Sequence, residues 1–294
     1  MKNFTMGPAI LFCPADRSDR YAKALERADA VILDLEDAVA AENRAGARRM
    51  LIDNPLDPER TIVRINPVGT LDFAADVAAV QRTAYRTIML AKTETLGDLA
   101  TVADFNVVAL CETALGIINA PQIAAARHVV GLMWGAEDLV ASLGGSSSRQ
   151  ESGTYRDVAR HARSQVLLAA GAFGKVAIDS VYINIPDHQG LLAESIDAQA
   201  SGFGAKASIH PGQMAVIRKA FMPTPEQVDR AARLLAAAED ANGVFTFEGQ
   251  MVDEPILRHA RAILDRRAIP DDGQDQDSDR TSEDRPKGSP VHLN

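Results

Sequence analysis

The chain has 294 residues, 46% of them apolar and 24% charged, and a formal net charge of −9. That is enough chain and enough apolar content for one large α/β domain, or two smaller ones, with a core that needs no staples. The negative balance argues against general nucleic-acid binding, which needs a positive face, and no apolar run reaches the length of a membrane span. The two cysteines, Cys13 and Cys111, both lie inside apolar runs and read as buried thiols of a reducing compartment. Residues 1–8 lack the apolar stretch of a signal peptide, so the expected location is the cytoplasm.

Apolar runs and helical spacings alternate along the chain. Residues 9–13 form a short apolar run closed by Pro14, and 17–28 carry Tyr21, Ala24, Leu25 and Ala28 at helical spacing. The next pairs are a run at 30–35 with a helix at 40–52, then a run at 61–65 with a helix at 71–80. They are followed by a run at 87–91, closed by Lys92, with a short helix at 96–102 that Thr95 caps. The fifth run, 107–111, stops at Glu112 and leads into a helix at 114–126 that Pro121 bends or divides. The sixth, 128–134, stops at a turn of Gly135, Ala136, Glu137 and Asp138, followed by a loop at 144–149 and a long helix at 157–170. A seventh strand at 176–183 contains Asp179, with a helix at 190–200. The eighth, 205–209, ends at His210 and Pro211, with a helix at 214–220.

Eight strand–helix units in about 220 residues predict a parallel sheet closed as a (β/α)₈ TIM barrel. The competing doubly wound open sheet would announce itself with a glycine-rich turn after its first strand, and that strand ends in Pro14, Ala15 and Asp16 instead. Asp37, Arg64, Lys92, Glu112, Asp138, Asp179 and His210 lie at or near the carboxyl ends of different runs, the face where barrel enzymes gather catalytic groups. Glu112 and Asp138 close neighbouring runs, and two hard oxygen donors at one rim can share Mg²⁺ while leaving positions for substrate oxygens.

Beyond the barrel, 225–240 is an alanine-rich helix, 243–249 a short strand or turn, and 255–267 a last helix. Residues 271–294 carry seven acids and three bases with almost no large apolar side chain, the composition of a disordered tail. The expected division is a barrel over 1–222, a helical lid segment over 223–268 and a disordered tail over 269–294.

Six stretches together resemble the citrate lyase β-subunit-like family of acyl-CoA lyases, which includes malyl-CoA and citramalyl-CoA lyases. They are 31–39 (VILDLEDAV), 63–66 (VRIN), 110–113 (LCET), 134–139 (WGAEDL), 209–211 (IHP) and 249–253 (GQMVD). The resemblance implies a (β/α)₈ barrel, a homotrimer and Mg²⁺ as cofactor. It also implies reversible cleavage of a β-hydroxyacyl-CoA into an acyl-CoA and a small keto acid of the glyoxylate, pyruvate or oxaloacetate type. By the same resemblance Glu112 and Asp138 hold the metal and Arg64 binds substrate and stabilises enolate charge. Asp253 is the acid or base, carried on a C-terminal segment able to close over a neighbouring subunit. Gly135 and Ala136 offer backbone N–H groups to the keto-acid carboxylate, and Glu36 and Asp37 orient Arg64 and metal-bound water. Two positions depart from the family pattern, Ala91 where members carry proline and Ala15 where they carry glycine; both alter loops and bear on substrate fit.

Plainer readings stand beside these. Glu112 and Asp138 could cap the helices after them, Arg64 could pair with Glu36 or Asp37, and Lys92 could touch substrate or close a salt bridge. His210 reads as a helix-start residue, and the 144–149 loop as a flexible loop or a seat for CoA phosphates. Three rival functions stand beside the lyase: a malate synthase or malyl-CoA thioesterase using the same residues, a CoA-independent keto-acid aldolase, and a non-catalytic subunit of a citrate lyase complex.

Overall fold

The computed structural model describes residues 4–239, 241 and 243–267, so the expected tail at 269–294 lies outside the described residues. Eight parallel strands close on themselves: β1 (Ala9–Pro14), β2 (Ala30–Asp34), β3 (Thr61–Ile65), β4 (Thr87–Leu90), β5 (Asn106–Cys111), β6 (Val129–Trp134), β7 (Val176–Asp179) and β8 (Ala205–Ser208). Each pairs with the next in sequence order, and β1 pairs with β8, leaving no edge strand. Helices follow every strand, as a (β/α)₈ barrel requires.

Side-chain parity assigns the layers, because successive residues of a strand face opposite sides. Ile10, Ile32, Ile62, Leu110, Met133 and Ile178 belong to the cluster filling the barrel. Their neighbours Leu11, Leu33, Val63, Cys111, Trp134 and Ala177 belong to the larger cluster between strands and helices. Both cysteines are buried and free. The same parity fixes which strand-end polar residues can serve the barrel mouth.

Two elements differ from expectation, and a third divides at Pro121 as expected. The seventh strand stops at Asp179 rather than running to 183; beyond it, Lys206 Nζ donates to the Ser180 carbonyl at 2.7 Å and the Gln213 amide to that of Tyr182 at 2.9 Å. Side chains satisfy there the backbone groups that a ladder would have used. The helix at 114–126 is two helices, Ala114–Ile118 and Ala120–Ala125, with Pro121 in the first turn of the second. The turn expected at 135–138 instead opens a helix, Ala136–Ser142.

The chain divides into two compact units, one up to Phe221 and one from Met222 on. In the second, helix Pro225–Glu239 packs on helix Glu254–Arg267 through Ala231, Leu234 and Ala260. Between them an antiparallel hairpin joins Phe245–Phe247 to Gln250–Val252. Its two-residue turn, Glu248 and Gly249, has φ of +48° and +77°, the left-handed pair that matches strand twist in tight hairpins.

Candidate active site

Arg64 is where the mouth is built. Inward parity continues from Ile62 to Arg64 and from Ile32 to Asp34, and the register places Asp34 opposite Arg64. The guanidinium is gripped bidentately, Nε donating to Asp34 Oδ1 at 2.7 Å and Nη2 to Oδ2 at 2.5 Å. Nη1 lies 3.0 Å from Glu36 Oε2. Arg64 also stacks over Phe12, 4.9 Å from the ring centre. The partner expected for Arg64 was Glu36 or Asp37. Glu36 takes part; Asp37 does not, and Asp34, unassigned from the sequence, is the main anchor. Burial alone would lower the Arg64 pKa, but Asp34 and Glu36 outweigh it, so the charge is permanent.

Glu112 follows Leu110 by two residues and therefore points inward; it is 2% exposed. It is not a helix cap, since the Thr113 hydroxyl fills that role for the next helix by accepting the Gly116 N–H at 3.1 Å. Gly135, next on the inward side of β6 after Met133, lies against the Glu112 carboxyl. A Cβ built on Gly135 would come within 2.7 Å of Glu112 Oε2 and 2.9 Å of its Cβ. Only glycine leaves that carboxyl its place. Asp138 stands one turn later, in the first turn of helix Ala136–Ser142, so it reaches the mouth from a helix start rather than from a strand end.

Lys92 shows that these acids converge. Its ammonium lies 2.6 Å from Glu36 Oε1, 3.6 Å from Asp37 Oδ2, 3.7 Å from Glu112 Oε1 and 3.3 Å from Asp138 Oδ1. Its backbone N–H donates to Glu112 Oε1 at 3.2 Å. Asp37, Glu112 and Asp138 line a cavity of about 340 Å³ together with Asp34, Arg64, Gly135, Ala136 and Glu137, with Phe12, Leu110, Met133, Val181 and Ile209 as its apolar wall. Burial first, and the Asp138 charge second, push the Glu112 carboxyl up to about 8, against the pull of Lys92 and Arg64. Burial likewise raises Glu36, opposed by Arg64 and Lys92.

Five carboxyl groups share two cations here, Arg64 and Lys92, and crowding beside Asp138 is one cause of the raised Glu112 carboxyl, which a bound cation would reverse. An all-oxygen pair of this kind fits a hard divalent cation that keeps other positions for water and substrate. The described residues hold no group of three or more His, Cys, Asp or Glu side chains arranged for a metal.

Other residues near the strand ends have partners of their own. Asp179 and Lys206 follow the inward Ile178 and Ala205 and so face outward, into a buried network behind the barrel wall. Asp179 accepts from Trp134 Nε1 at 2.8 Å, Arg163 Nε at 2.9 Å and Lys206 Nζ at 3.0 Å, and Lys206 also reaches Glu194 at 3.0 Å. Asp179 is therefore absent from the catalytic face. His210 Nδ1 accepts the Gly212 N–H at 3.1 Å, a turn-capping bond. Arg149 is turned inward, stacked 3.7 Å from the Tyr155 ring centre and paired with Glu194 at 2.8 Å. Asp253, in the second unit, precedes helix Glu254–Arg267 and accepts the Ile256 N–H at 3.4 Å.

A carboxylate-rimmed (β/α)₈ barrel with a buried arginine at its mouth defines an enzyme of the aldolase and lyase type. Residues 9–211 match the HpcH/HpaI aldolase/citrate lyase family, and the chain belongs to that family. A citrate lyase subunit beta-like protein of Mycobacterium tuberculosis is 55% identical over 260 residues, spanning 88% of this chain and 95% of its own. The mitochondrial citramalyl-CoA lyase of Homo sapiens is 32% identical over 287 residues, spanning 86% and 83%. The crystal structure of protein CitE from Mycobacterium tuberculosis in complex with magnesium, acetoacetate and coenzyme A superposes with a TM-score of 0.87 at 54% identity, covering 90% of this chain and 99% of that one.

Proposed function

We propose that the protein is a Mg²⁺-dependent carbon–carbon lyase that cleaves a β-hydroxyacyl-CoA of the malyl-CoA or citramalyl-CoA type, reversibly, into an acyl-CoA and a 2-keto acid. The observation that carries this reading is the convergence of Glu112 and Asp138 on one point, 3.7 and 3.3 Å from the same ammonium, beside Arg64. Magnesium, acetoacetate and coenzyme A in the Mycobacterium tuberculosis structure support the same assignment.

Glu112 and Asp138 would hold the ion. Bound there, magnesium supplies Lewis acidity to the oxygens of the keto-acid half. The Gly135 and Ala136 backbone lines the same cavity and offers N–H groups to that half's carboxylate. Cleavage leaves negative charge on the thioester oxygen, and Arg64 is the cation suited to it. Asp34 accepts two of its five N–H groups and Glu36 Oε2 lies 3.0 Å from Nη1, which together fix the guanidinium plane at the cavity, so its charge is in place before negative charge develops. Glu36 ties Arg64 to Lys92, and Asp37 approaches only Lys92. Asp253 donates the proton that completes the acyl-CoA product and removes it in the reverse direction. The assembly is a homotrimer in which Asp253 serves a neighbouring subunit's site.

The test is turnover of malyl-CoA, citramalyl-CoA and related hydroxyacyl-CoA thioesters, with Mg²⁺ and with EDTA. Release of a keto acid and an acyl-CoA, abolished by EDTA, is the expected result. Activity indifferent to EDTA overturns the metal assignment. Cleavage of free hydroxy acids without CoA, or release of free CoA from acetyl-CoA and glyoxylate, replaces the lyase with an aldolase or a thioesterase.

A further inference from the structure

Lys92 has a backbone that few side chains tolerate. Its φ is +49°, the left-handed region that an ordinary residue adopts at a cost and keeps where the surroundings impose it. Here the conformation does two things at once. It aims the Lys92 N–H at Glu112 Oε1, and it brings the ammonium of the same residue among Glu36, Asp37, Glu112 and Asp138. A fixed cation among four acids suppresses their mutual repulsion, so Glu112 and Asp138 stay turned toward one point. The same cation also repels any metal ion that those two acids hold, because an ion in contact with them lies only a few ångströms from the ammonium.

We propose that Lys92 is a positioning residue with two opposed effects: it preassembles the Glu112 and Asp138 pair, and it weakens the hold of that pair on a divalent cation so that the ion stays exchangeable. This rests on the proposed magnesium site and deepens it. Glu36 is the retaining partner. It binds the ammonium more closely than either metal-binding acid does, at 2.6 Å against 3.7 and 3.3 Å, and it draws charge away from the ion. Glu36 in turn lies against Arg64, so the charge state of the metal pair and the placement of the substrate-binding guanidinium share one carboxylate.

The experiment measures Mg²⁺ binding to the chelator-stripped protein by calorimetry, and thermal melting with and without Mg²⁺, for wild type and three variants. Asparagine tolerates a left-handed backbone, so Lys92→Asn removes the charge and keeps the local turn. Removing the repulsion of a unit charge a few ångströms from the ion gives an expected Mg²⁺ binding at least about tenfold tighter than wild type. It comes with a lower melting temperature in EDTA and a larger rise on adding Mg²⁺. Lys92→Gly, which suits the backbone best, should behave likewise and stands in if the asparagine variant does not fold. Lys92→Arg keeps the charge and should keep wild-type affinity. Equal or weaker Mg²⁺ binding in both neutral variants overturns the proposal, as does tightening in the arginine variant. A wild-type protein that shows no binding heat and no melting shift with Mg²⁺ sinks the metal site itself, a result distinct from either.

Discussion

Glu112 carries the sharpest consequence at the scale of a single residue. Its carboxyl is pushed from 4.5 to about 8, burial being the larger cause and the Asp138 charge the next. Between those two values the folded chain keeps a proton that the unfolded chain has lost, so stability falls as pH rises across that window. In EDTA the melting temperature should decline from about pH 5 to about pH 8, and Glu112→Gln should flatten the decline; an unchanged slope would show that another group titrates. Because metal binding requires the ionised carboxylate, Mg²⁺ affinity should rise over the same interval. Glu112→Gln and Asp138→Asn should each abolish Mg²⁺-dependent turnover and the calorimetric signal, and retained turnover in either refutes its assignment. Gly135→Ala would place a methyl 2.7 Å from Glu112 Oε2, and the displaced carboxylate should weaken Mg²⁺ binding on the order of tenfold or more.

At the scale of strands and helices, parity separates the site from its supports. Asp179 and Lys206 are both essentially fully buried, and they face the helices, not the mouth. Burial alone would raise Asp179, but Lys206 and Arg163 outweigh it and hold the carboxyl below its ordinary value. Lys206→Met would leave that carboxylate with Arg163 and without its second cation, a loss of about 3–5 kcal/mol. Denaturant unfolding should register it, while the folded fraction assayed at low temperature keeps its turnover. A large fall in turnover at unchanged stability would instead mean that the network reaches the mouth. The same parity explains what can be read in advance. Glu112 is legible because its apolar run is long and unambiguous, with Leu110 setting the phase. Asp179 is legible as a residue at or near the end of its run, and β7 does end there; that it faces away from the mouth follows only from the inward phase of Ile178. Asp34 is visible as an acid within 31–39, but its bond to Arg64 depends on the β2–β3 register, which no single stretch encodes. Helix Ala136–Ser142 is hidden by its shortness and by the Gly135 that opens it.

At the scale of the whole molecule, the proposed role of Asp253 turns on which chain's residue would serve which site. Asp253 accepts the N–H of Ile256, so an alanine there loses a helix cap as well as an acid, and caps contribute about 1 kcal/mol. An asparagine at the same position would keep the cap and lose the proton, which makes Asp253→Asn the informative change: kcat should fall with KM and melting temperature nearly unchanged. If Asp253 works within its own chain, mixing that variant with Glu112→Gln, each inactive alone, restores nothing, since every chain lacks one of the two groups. If it serves a neighbour, co-refolded or co-expressed mixtures regain sites that combine an intact Glu112 from one chain with an intact Asp253 from the next. Random head-to-tail assembly around a ring makes that combination about a quarter of all sites. Recovery near that fraction, together with a trimeric mass by light scattering, is the expected outcome. No recovery in a demonstrably mixed trimer would return Asp253 to its own barrel, and no recovery with a monomeric mass would remove the shared site altogether.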